Sequence, residues 1–392
     1  SFVFEDVDHA ASLFGLQTFG NIYTRIGNPT TAVLEERVAA LEGGTAGLAA
    51  ASGHAAQVLA FHCLMQPGDE FVASKKLYGG SINQFTHAFK NFGWNVNWAD
   101  PDDISSFEQA VTPKTKAIFT ETIANPGGVI CDIEAISAIA KKAHVPLIVD
   151  NTLATPYLWN PIDHGADIVI HSLTKFLGGH GNSIGGMVVD AGTFDWSRDD
   201  RYPMLSKPRP EYHGIVFHET FGNFAFAVAC RALALRDIGP ALSPFNSFLI
   251  LTGIETLPLR IQRHCDNALA VAQWLKAHNK IAWVSYPGLP DDKYHALARK
   301  YVPKGAGSVF TFGLKGGYEA GIKLVSNVKL FSHLANIGDT RSLIIHPAST
   351  THRQLTDAQK IACGAGPDVV RLSVGIEDKD DIIADLEQAL AS

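Results

Sequence analysis

The chain contains 392 residues, of which 46% are hydrophobic and 18% are charged, and its formal net charge is −7. This length predicts two domains with well-buried cores, and the composition excludes a disordered or low-complexity chain. The basic residues are dispersed, which argues against a nucleic-acid-binding protein, and no apolar run reaches the roughly 18 residues that a membrane span needs.

The cysteines and histidines indicate neither a disulfide framework nor a metal site. The five cysteines are scattered and form no C-x-x-C pair, which is typical of a reducing compartment, so we expect a cytoplasmic location. The sixteen histidines include no H-E-x-x-H motif, and no metal is predicted. Two histidines, His346 and His352, stand at a nonspecific spacing, and we interpret their segment as a structural loop.

The first half of the chain alternates helical and strand-like segments. The sequence starts at Ser1 without an initiator methionine, so we expect further residues before it. Apolar periodicity predicts helices over 30–43, 53–65 and 133–143, and strands over 70–73, 117–120, 145–150 and 166–170. This alternation favours a mainly parallel sheet covered on both faces, with ligands bound at the carboxyl ends of its strands.

The second half of the chain has a different pattern. Residues 190–245 are rich in aromatic residues and proline, with a helix predicted over 224–235, and a single long helix is predicted over 244–278. Strands at 307–313 and 369–374 then mix with helices at 318–325 and 379–391. We therefore divide the chain into a larger domain over 28–243 and a smaller α+β domain over 244–392.

Two charged residues follow predicted strands at the point where each strand ends. Asp150 ends the strand at 145–150, and Lys175 lies just after the strand at 166–170, beside the hydroxyl residues Ser172 and Thr174. A lysine can form a Schiff base with pyridoxal phosphate, and a carboxylate can keep its pyridine nitrogen protonated. A surface lysine and a helix-capping aspartate are the alternative. Their positions at strand ends favour a pyridoxal phosphate enzyme.

Two further segments suit the same cofactor. Ser52, Gly53 and His54 open a helix, and the N–H groups at a helix N-terminus bind phosphate well. A simple serine cap is the alternative. Tyr78 lies on a glycine turn, where its ring can lie flat on the pyridine ring; a packed aromatic residue would show the same pattern.

Three more residues are candidates for binding anionic groups. Tyr23 and Arg25 precede a turn and a helix start, and arginine suits phosphate geometry, although such a pair is often only surface. Arg371 is a charge on an alternating strand. It either points to solvent or binds the α-carboxylate of a substrate with two hydrogen bonds.

Together these motifs resemble the Cys/Met-metabolism pyridoxal phosphate enzymes: cystathionine γ-synthase, the cystathionine lyases, methionine γ-lyase and the homoserine-ester sulfhydrylases. The resemblance covers essentially the whole chain and rests on 23–30, 52–53, 77–80, 125–126, 150–152, 172–175 and 371–377. It implies an aspartate-aminotransferase-like (type I) fold, with a mainly parallel seven-stranded sheet, helices on both faces and a smaller C-terminal domain. It also implies that 1–27 is the remnant of an N-terminal arm, and that two tight dimers form a homotetramer.

The resemblance also implies a role for each matching residue. Lys175 is the Schiff-base lysine and proton shuttle, Asp150 pairs with the pyridine nitrogen, and Tyr78 stacks on the ring. The other cofactor contacts are Ser52, Gly53, His54, Asn125, Thr152, Ser172 and Thr174, with Tyr23 and Arg25 supplied to the neighbouring subunit. The substrate-binding residues are Arg371, Asn336, Ser342 and Tyr23. His54 stands where a methionine is common, and Asn336 stands where the lyases have a serine.

Within the family, segments 194–196, 212–214, 235–246 and 334–343 are similar to the O-acetylhomoserine sulfhydrylases. The implied reaction replaces the acetate of O-acetyl-L-homoserine with sulfide and gives L-homocysteine. A succinyl-ester sulfhydrylase, a cystathionine γ-synthase and a γ-lyase are alternatives within the class. Outside it, a non-catalytic protein of the same fold would not need to keep Lys175, Asp150, Tyr78 and Arg371 together.

Overall fold

The polypeptide forms two separate β-sheets. The computed structural model describes residues 1–351, 353, 356, 360 and 364–392, and His352 and Cys363 lie outside the described residues. Within them the strands are β1 (Ala46–Ala50), β2 (Glu70–Ser74), β3 (Asn95–Ala99), β4 (Thr115–Glu121), β5 (Ile123–Ala124), β6 (Val129–Ile130), β7 (Leu147–Asp150), β8 (Ile168–Ser172), β9 (Gly186–Asp190), β10 (Ile281–Ser285), β11 (Val309–Leu314), β12 (Ser332–His333), β13 (Leu343–Ile345) and β14 (Val369–Ser373).

Helices connect most of these strands. The longer ones are Val7–Phe14, Pro29–Glu42, Gly53–Leu64, Ile133–Ala143, Pro244–Glu255, Leu257–Ala277, His295–Tyr301, Gly317–Asn327 and Lys379–Ala391. The shorter ones are Gly79–Asn83, Phe89–Asn91, Ser105–Ala110, Thr155–Leu158, Pro203–Ser206, Phe217–Phe221, Ala225–Ala229 and Arg236–Ile238, with π-helical segments at Gln84–Ala88 and Cys230–Leu235. No helix in the described part of the chain is long and apolar enough to cross a membrane.

The larger sheet has seven strands in the order β1-β9-β8-β7-β4-β2-β3. β9 runs antiparallel to both of its neighbours, and the remaining pairs are parallel. Alternate residues of β7 point to opposite faces: Leu147 and Val149 pack in one buried cluster with Leu34, whereas Ile148 packs in another with Phe61. The prediction of a mainly parallel seven-stranded sheet with helices on both faces is confirmed.

Three neighbouring parallel strands bring their carboxyl ends to the same edge of this sheet. β4 ends at Glu121, β7 at Asp150 and β8 at Ser172. Glu121 is the in-register partner of Asp150, and Asp150 is the partner of Ile170 on β8. Their side chains therefore meet at the edge where open α/β sheets bind ligands.

The smaller sheet has the order β10-β11-β14-β13-β12 and lies entirely after Pro244 in the chain. β14 runs antiparallel to both β11 and β13. This arrangement places Arg371 on a central strand, opposite Thr311 and Ile345. The separate C-terminal sheet agrees with the predicted fold class.

The single helix predicted over 244–278 is wrong, because two helices occupy this range. Pro244–Glu255 ends at Thr256, whose φ of −102° and ψ of 8° leave the helical region, and Leu257–Ala277 then begins. Pro258 lies in the first turn of the second helix, where its missing N–H is not needed. The proline ring and the absent donor stop a continuous helix from passing through this point.

Candidate active site

A cavity of about 290 Å³ lies at the carboxyl ends of β4, β7 and β8. Twelve residues that the sequence predicts for the site line it: Ser52, Gly53, His54, Tyr78, Asn125, Asp150, Thr152, Ser172, Thr174, Lys175, Asn336 and Arg371. The two sheets both contribute, since Arg371 comes from β14. The structure therefore brings distant parts of the sequence to one place.

Lys175 reaches into this cavity from the turn that follows β8. Its Nζ donates a hydrogen bond to Asn336 Oδ1 at 2.5 Å. Burial, and then the positive charge of Arg371, lower the pKa of the Lys175 amine from 10.5 to about 8. A lysine amine has to be neutral to attack a carbonyl or to take a proton, and this environment supplies a useful neutral fraction near pH 7.

Asp150 is held at the end of β7 by the residue two positions later. The Thr152 backbone N–H donates to Asp150 Oδ1 at 2.9 Å, while Thr152 Oγ1 accepts from the Ser172 backbone N–H at 2.8 Å. Burial raises the pKa of Asp150, opposed by the Thr152 hydrogen bonds and by the nearby His171. Thr152 thus ties β7 to β8 and fixes the partly buried Asp150 carboxyl group, which can pair with a ring cation.

The helix Gly53–Leu64 offers its N-terminus to the cavity. The Ser52 hydroxyl caps the helix by accepting from the Ala55 N–H at 3.1 Å, which leaves the first backbone N–H groups for an anion. A Cβ added at Gly53 would lie 2.9 Å from Ser172 Cβ, so a side chain at this position would close the space. The cradle fits a phosphate group. The Thr174 hydroxyl makes two hydrogen bonds within the protein: it donates to the Gly185 carbonyl oxygen at 3.2 Å and accepts from the Gly185 N–H at 3.1 Å.

Tyr78 stands at the start of the helix Gly79–Asn83, not on the predicted glycine turn. Its backbone N–H donates to Glu121 Oε1 at 2.7 Å, and its ring is 45% exposed beside the ring of His54, with centroids 5.9 Å apart. A Cβ at Gly80 would collide with Tyr78 Cε1. The glycine therefore makes room for the ring, which stays free to cover a planar ligand.

Arg371 points into the cavity and not to solvent. Nη1 donates to Asn125 Oδ1 at 3.2 Å, and Nη2 donates to the Asn336 carbonyl oxygen at 3.2 Å. Burial lowers the pKa of Arg371 to about 10, so the guanidinium remains charged at neutral pH. Among the two alternatives for this strand charge, the geometry supports binding of a carboxylate.

Three predicted site residues do not line the cavity. Ser342 is fully buried, and its hydroxyl donates to Glu377 Oε2 at 2.8 Å and accepts from the Gly375 N–H at 2.8 Å, so it is not available to a substrate carboxylate. The Arg25 guanidinium lies 5.4 Å from the ring centre of Tyr23, and Arg25 donates to a backbone carbonyl in its own chain. The predicted contact of Tyr23 and Arg25 with a neighbouring subunit remains a prediction.

The sequence reasoning missed several residues that line the cavity. Glu121 is 3% exposed, and Gln57 donates to Ser81 Oγ at 3.0 Å. Ile184 and Ala335 add apolar surface. Glu121 could have been found, because it directly follows the strand predicted over 117–120, at a strand end like Asp150, but no motif marks the others. His346 is held by Ser349 and the Pro367 carbonyl, as a structural loop requires.

Comparison with known proteins agrees with the geometry of this cavity. The chain matches the family described as Cys/Met metabolism PLP-dependent enzyme over residues 1–391. It is 53% identical to the O-acetyl-L-homoserine sulfhydrylase of Leptospira meyeri, covering 100% of this chain and 90% of that protein. It is 51% identical to O-acetyl-L-homoserine sulfhydrylase 1 of Thermus thermophilus, covering 100% and 93%.

Two further similarities concern a fungal enzyme and a solved structure. The homocysteine/cysteine synthase of Saccharomyces cerevisiae is 48% identical, covering 99% of this chain and 90% of that protein. A Campylobacter jejuni crystal structure, assigned as an O-acetylhomoserine (thiol)-lyase and carrying a pyridoxyl-lysine phosphate, superposes with a TM-score of 0.97. It is 42% identical and covers 100% of this chain and 93% of that one.

Proposed function

The chain belongs to the Cys/Met metabolism PLP-dependent enzyme family, and we propose that it replaces the acetate of O-acetyl-L-homoserine with sulfide, giving L-homocysteine and acetate. The observation that carries the proposal is the convergence of Lys175, Asp150 and Arg371 on one cavity. These three side chains supply an amine, a partner for a ring nitrogen and a site for an amino-acid carboxylate. The names of the similar proteins narrow the reaction to the sulfhydrylase branch.

The cavity fits pyridoxal phosphate, with Lys175 at its carbonyl, Asp150 at its ring nitrogen and Tyr78 over its ring. Its phosphate suits the helix N-terminus at Gly53 and the Ser172 side of the cradle, where a Cβ would intrude. When bound, the cofactor supplies a protonated pyridine ring that accepts the electrons left behind when a substrate C–H bond breaks.

Lys175 is proposed as the group that moves protons. Its pKa of about 8 lets the amine accept a proton from the substrate Cα and then transfer protons at Cβ, so that acetate can leave from Cγ and sulfide can take its place. Asn336 Oδ1 holds the amine when it is free. Positioned proton transfer of this kind contributes about 10²–10⁴-fold to the rate.

Arg371 is proposed to hold the α-carboxylate of the substrate. Its guanidinium is anchored by Asn125 and by the Asn336 backbone, which fixes its orientation before substrate arrives. Arginine has five N–H donors in a fixed fork, so two donors can face a carboxylate while others keep these protein contacts. The same Asn336 contacts both Lys175 and Arg371, which links the position of the base to the position of the substrate.

We also propose a homo-oligomer with shared active sites and a cytoplasmic location. Tyr23 and Arg25 do not line the cavity of their own chain, which supports their predicted contribution to a neighbouring subunit. Small-molecule substrates fit the family. Cys63, Cys131 and Cys265 are free and buried, as in other proteins of reducing compartments.

Product analysis tests the proposed reaction. Purified enzyme receives O-acetyl-L-homoserine with sulfide, and parallel samples receive O-succinyl-L-homoserine or cysteine as the alternative substrate. We expect homocysteine and acetate in equal amounts from the first pair, and none from a Lys175→Ala control. Cystathionine as the main product with cysteine, or α-ketobutyrate without homocysteine, would assign the chain to another branch of the family.

A further inference from the structure

Glu121 is a buried acid in the cavity for which the proposed reaction has no role. It ends β4, is 3% exposed and lines the cavity. It pairs in register with Asp150 on the neighbouring parallel strand, so both carboxyl groups lie on the same face of the sheet. A buried acid beside a second carboxyl group is unfavourable unless its oxygens are hydrogen-bonded and its charge is paired or neutralised by a proton.

The oxygens of Glu121 hold the backbones of two residues that are proposed to contact the cofactor ring. Oε1 accepts from the Tyr78 N–H at 2.7 Å, and Oε2 accepts from the Asn125 N–H at 3.4 Å. Tyr78 lies directly before the helix Gly79–Asn83, and Asn125 directly follows β5. One side chain therefore connects two loops that approach the cavity from different strands.

The charges around Glu121 indicate which of the two acids carries a proton. Burial, and then the neighbouring Asp150, raise the pKa of Glu121 well above its usual value. Burial also raises the pKa of the partly buried Asp150, but hydrogen bonds from Thr152 and the nearby His171 and His54 favour its ionised form. Because two adjacent carboxyl groups do not both ionise readily, the negative charge settles on Asp150, where it can pair with a protonated ring nitrogen.

We propose that Glu121 is a positioning residue that holds Tyr78 and Asn125 at the cofactor ring, and that it does so as a neutral carboxylic acid. Its neutral state keeps the two backbone contacts and leaves Asp150 as the anion that faces the ring nitrogen. This inference rests on the proposed cofactor site. It adds a residue that does not contact the cofactor itself and acts through the backbones of Tyr78 and Asn125.

The test compares Glu121→Gln with Glu121→Ala. Glutamine is the same size as the neutral acid and keeps an oxygen for the Tyr78 N–H at 2.7 Å, while its NH2 group gives up only the longer 3.4 Å contact with the Asn125 N–H. Alanine removes both contacts. Asp385→Ala is the matched control, because Asp385 is another buried carboxyl that accepts from backbone N–H groups, at Lys329 and Leu330, outside the cavity. Each holoenzyme is assayed for visible circular dichroism per bound cofactor and for cofactor release into a trapping agent.

We expect cofactor release from Glu121→Ala to be about tenfold faster, as for a lost buried hydrogen bond, with changed circular dichroism of the remaining cofactor. Glu121→Gln should match wild type within about twofold in both assays. Asp385→Ala should lower the unfolding temperature and leave the cofactor signal per bound molecule unchanged. If Glu121 had a purely structural role, Glu121→Ala would behave like Asp385→Ala, with a lower unfolding temperature and an unchanged cofactor signal per bound molecule.

Two results would overturn the proposal. If Glu121→Ala keeps the wild-type cofactor signal and release rate, Glu121 positions nothing at the ring. If Glu121→Gln has a changed cofactor signal and releases the cofactor about tenfold faster than wild type, the residue acts as an anion. This comparison with wild type decides the matter should the alanine variant fail to fold. Neither result depends on homocysteine formation by wild type, so failure of the proposed reaction is a separate outcome.

Discussion

Replacing Arg371 with glutamine is expected to raise the pKa of Lys175. That pKa falls from 10.5 to about 8, with burial as the larger cause and the charge of Arg371 as the second. Arg371 therefore accounts for less than half of the fall. Removing its charge should raise the pKa of Lys175 by at most about one pH unit, which lowers the neutral fraction of the amine at pH 7 by up to about tenfold.

The assay is the rate at which pyridoxal phosphate binds covalently to the cofactor-free protein, measured across pH. Only the neutral amine of Lys175 attacks the carbonyl carbon, so this rate follows the amine's titration. We expect the midpoint for Arg371→Gln to move to higher pH than in wild type. Arg371→Lys is the control, because it keeps a positive charge at the same position and should keep the midpoint close to wild type.

The two variants should behave alike towards substrate. Both lose the planar fork that binds a carboxylate with two hydrogen bonds, and loss of such a buried contact costs about 2–5 kcal/mol, or a fall of about 30-fold or more in kcat/KM. An unchanged or lower midpoint in Arg371→Gln would refute the electrostatic link between Arg371 and Lys175. An unchanged kcat/KM in both variants would refute the assignment of the carboxylate site.

Three further predictions concern single positions. Lys175→Ala should form no homocysteine and lack the absorption band of a lysine-bound cofactor. Gly53→Ala places a Cβ 2.9 Å from Ser172 Cβ, so cofactor release, followed by absorbance, should be about tenfold faster or more; unchanged release would contradict the phosphate cradle. Asp190 has its pKa raised to about 7 by burial, so it favours the folded state at low pH and loses that contribution as the pH rises from about 4 to 7. Relative to Asp190→Asn, wild type should lose about 1.4 kcal/mol of unfolding free energy per pH unit in that window, as measured by urea denaturation.

The parts of the fold that could be predicted are those that depend on local patterns. The helix at 133–143 agrees with Ile133–Ala143, since its apolar residues recur at helical spacing and Asp132 caps its first turn. Asp150 and Lys175 could be assigned to one edge because both follow predicted strands of a parallel sheet. The long helix over 244–278 was predicted wrongly, although Pro258 was the local signal for its break.

The contacts that finish the site could not be predicted, because they join residues far apart in the sequence. Lys175 and Asn336 are 161 positions apart, and Arg371 and Asn125 are 246 apart. Periodicity reports which face of an element is buried, but it contains no information on which strand of the second sheet will face the first. Asn336 was therefore assigned to the substrate from resemblance alone, and its hydrogen bond to Lys175 was not foreseen.

The burial that favours the neutral, reactive amine of Lys175 also disfavours the ionised forms of the acids in the cavity. Low solvent access lowers the pKa of Lys175 and raises the pKa of both Asp150 and Glu121, since removal from water disfavours every charged form. A site that needs a neutral amine and an ionised carboxylate must therefore stabilise that one carboxylate by specific contacts. Arg371 supports the neutral amine, and the Thr152 hydrogen bonds support the Asp150 anion. Glu121 also accepts two backbone N–H bonds, which favour its charged form, but burial and the neighbouring Asp150 outweigh them. This balance is the physical reason to expect the proton on Glu121 and the charge on Asp150.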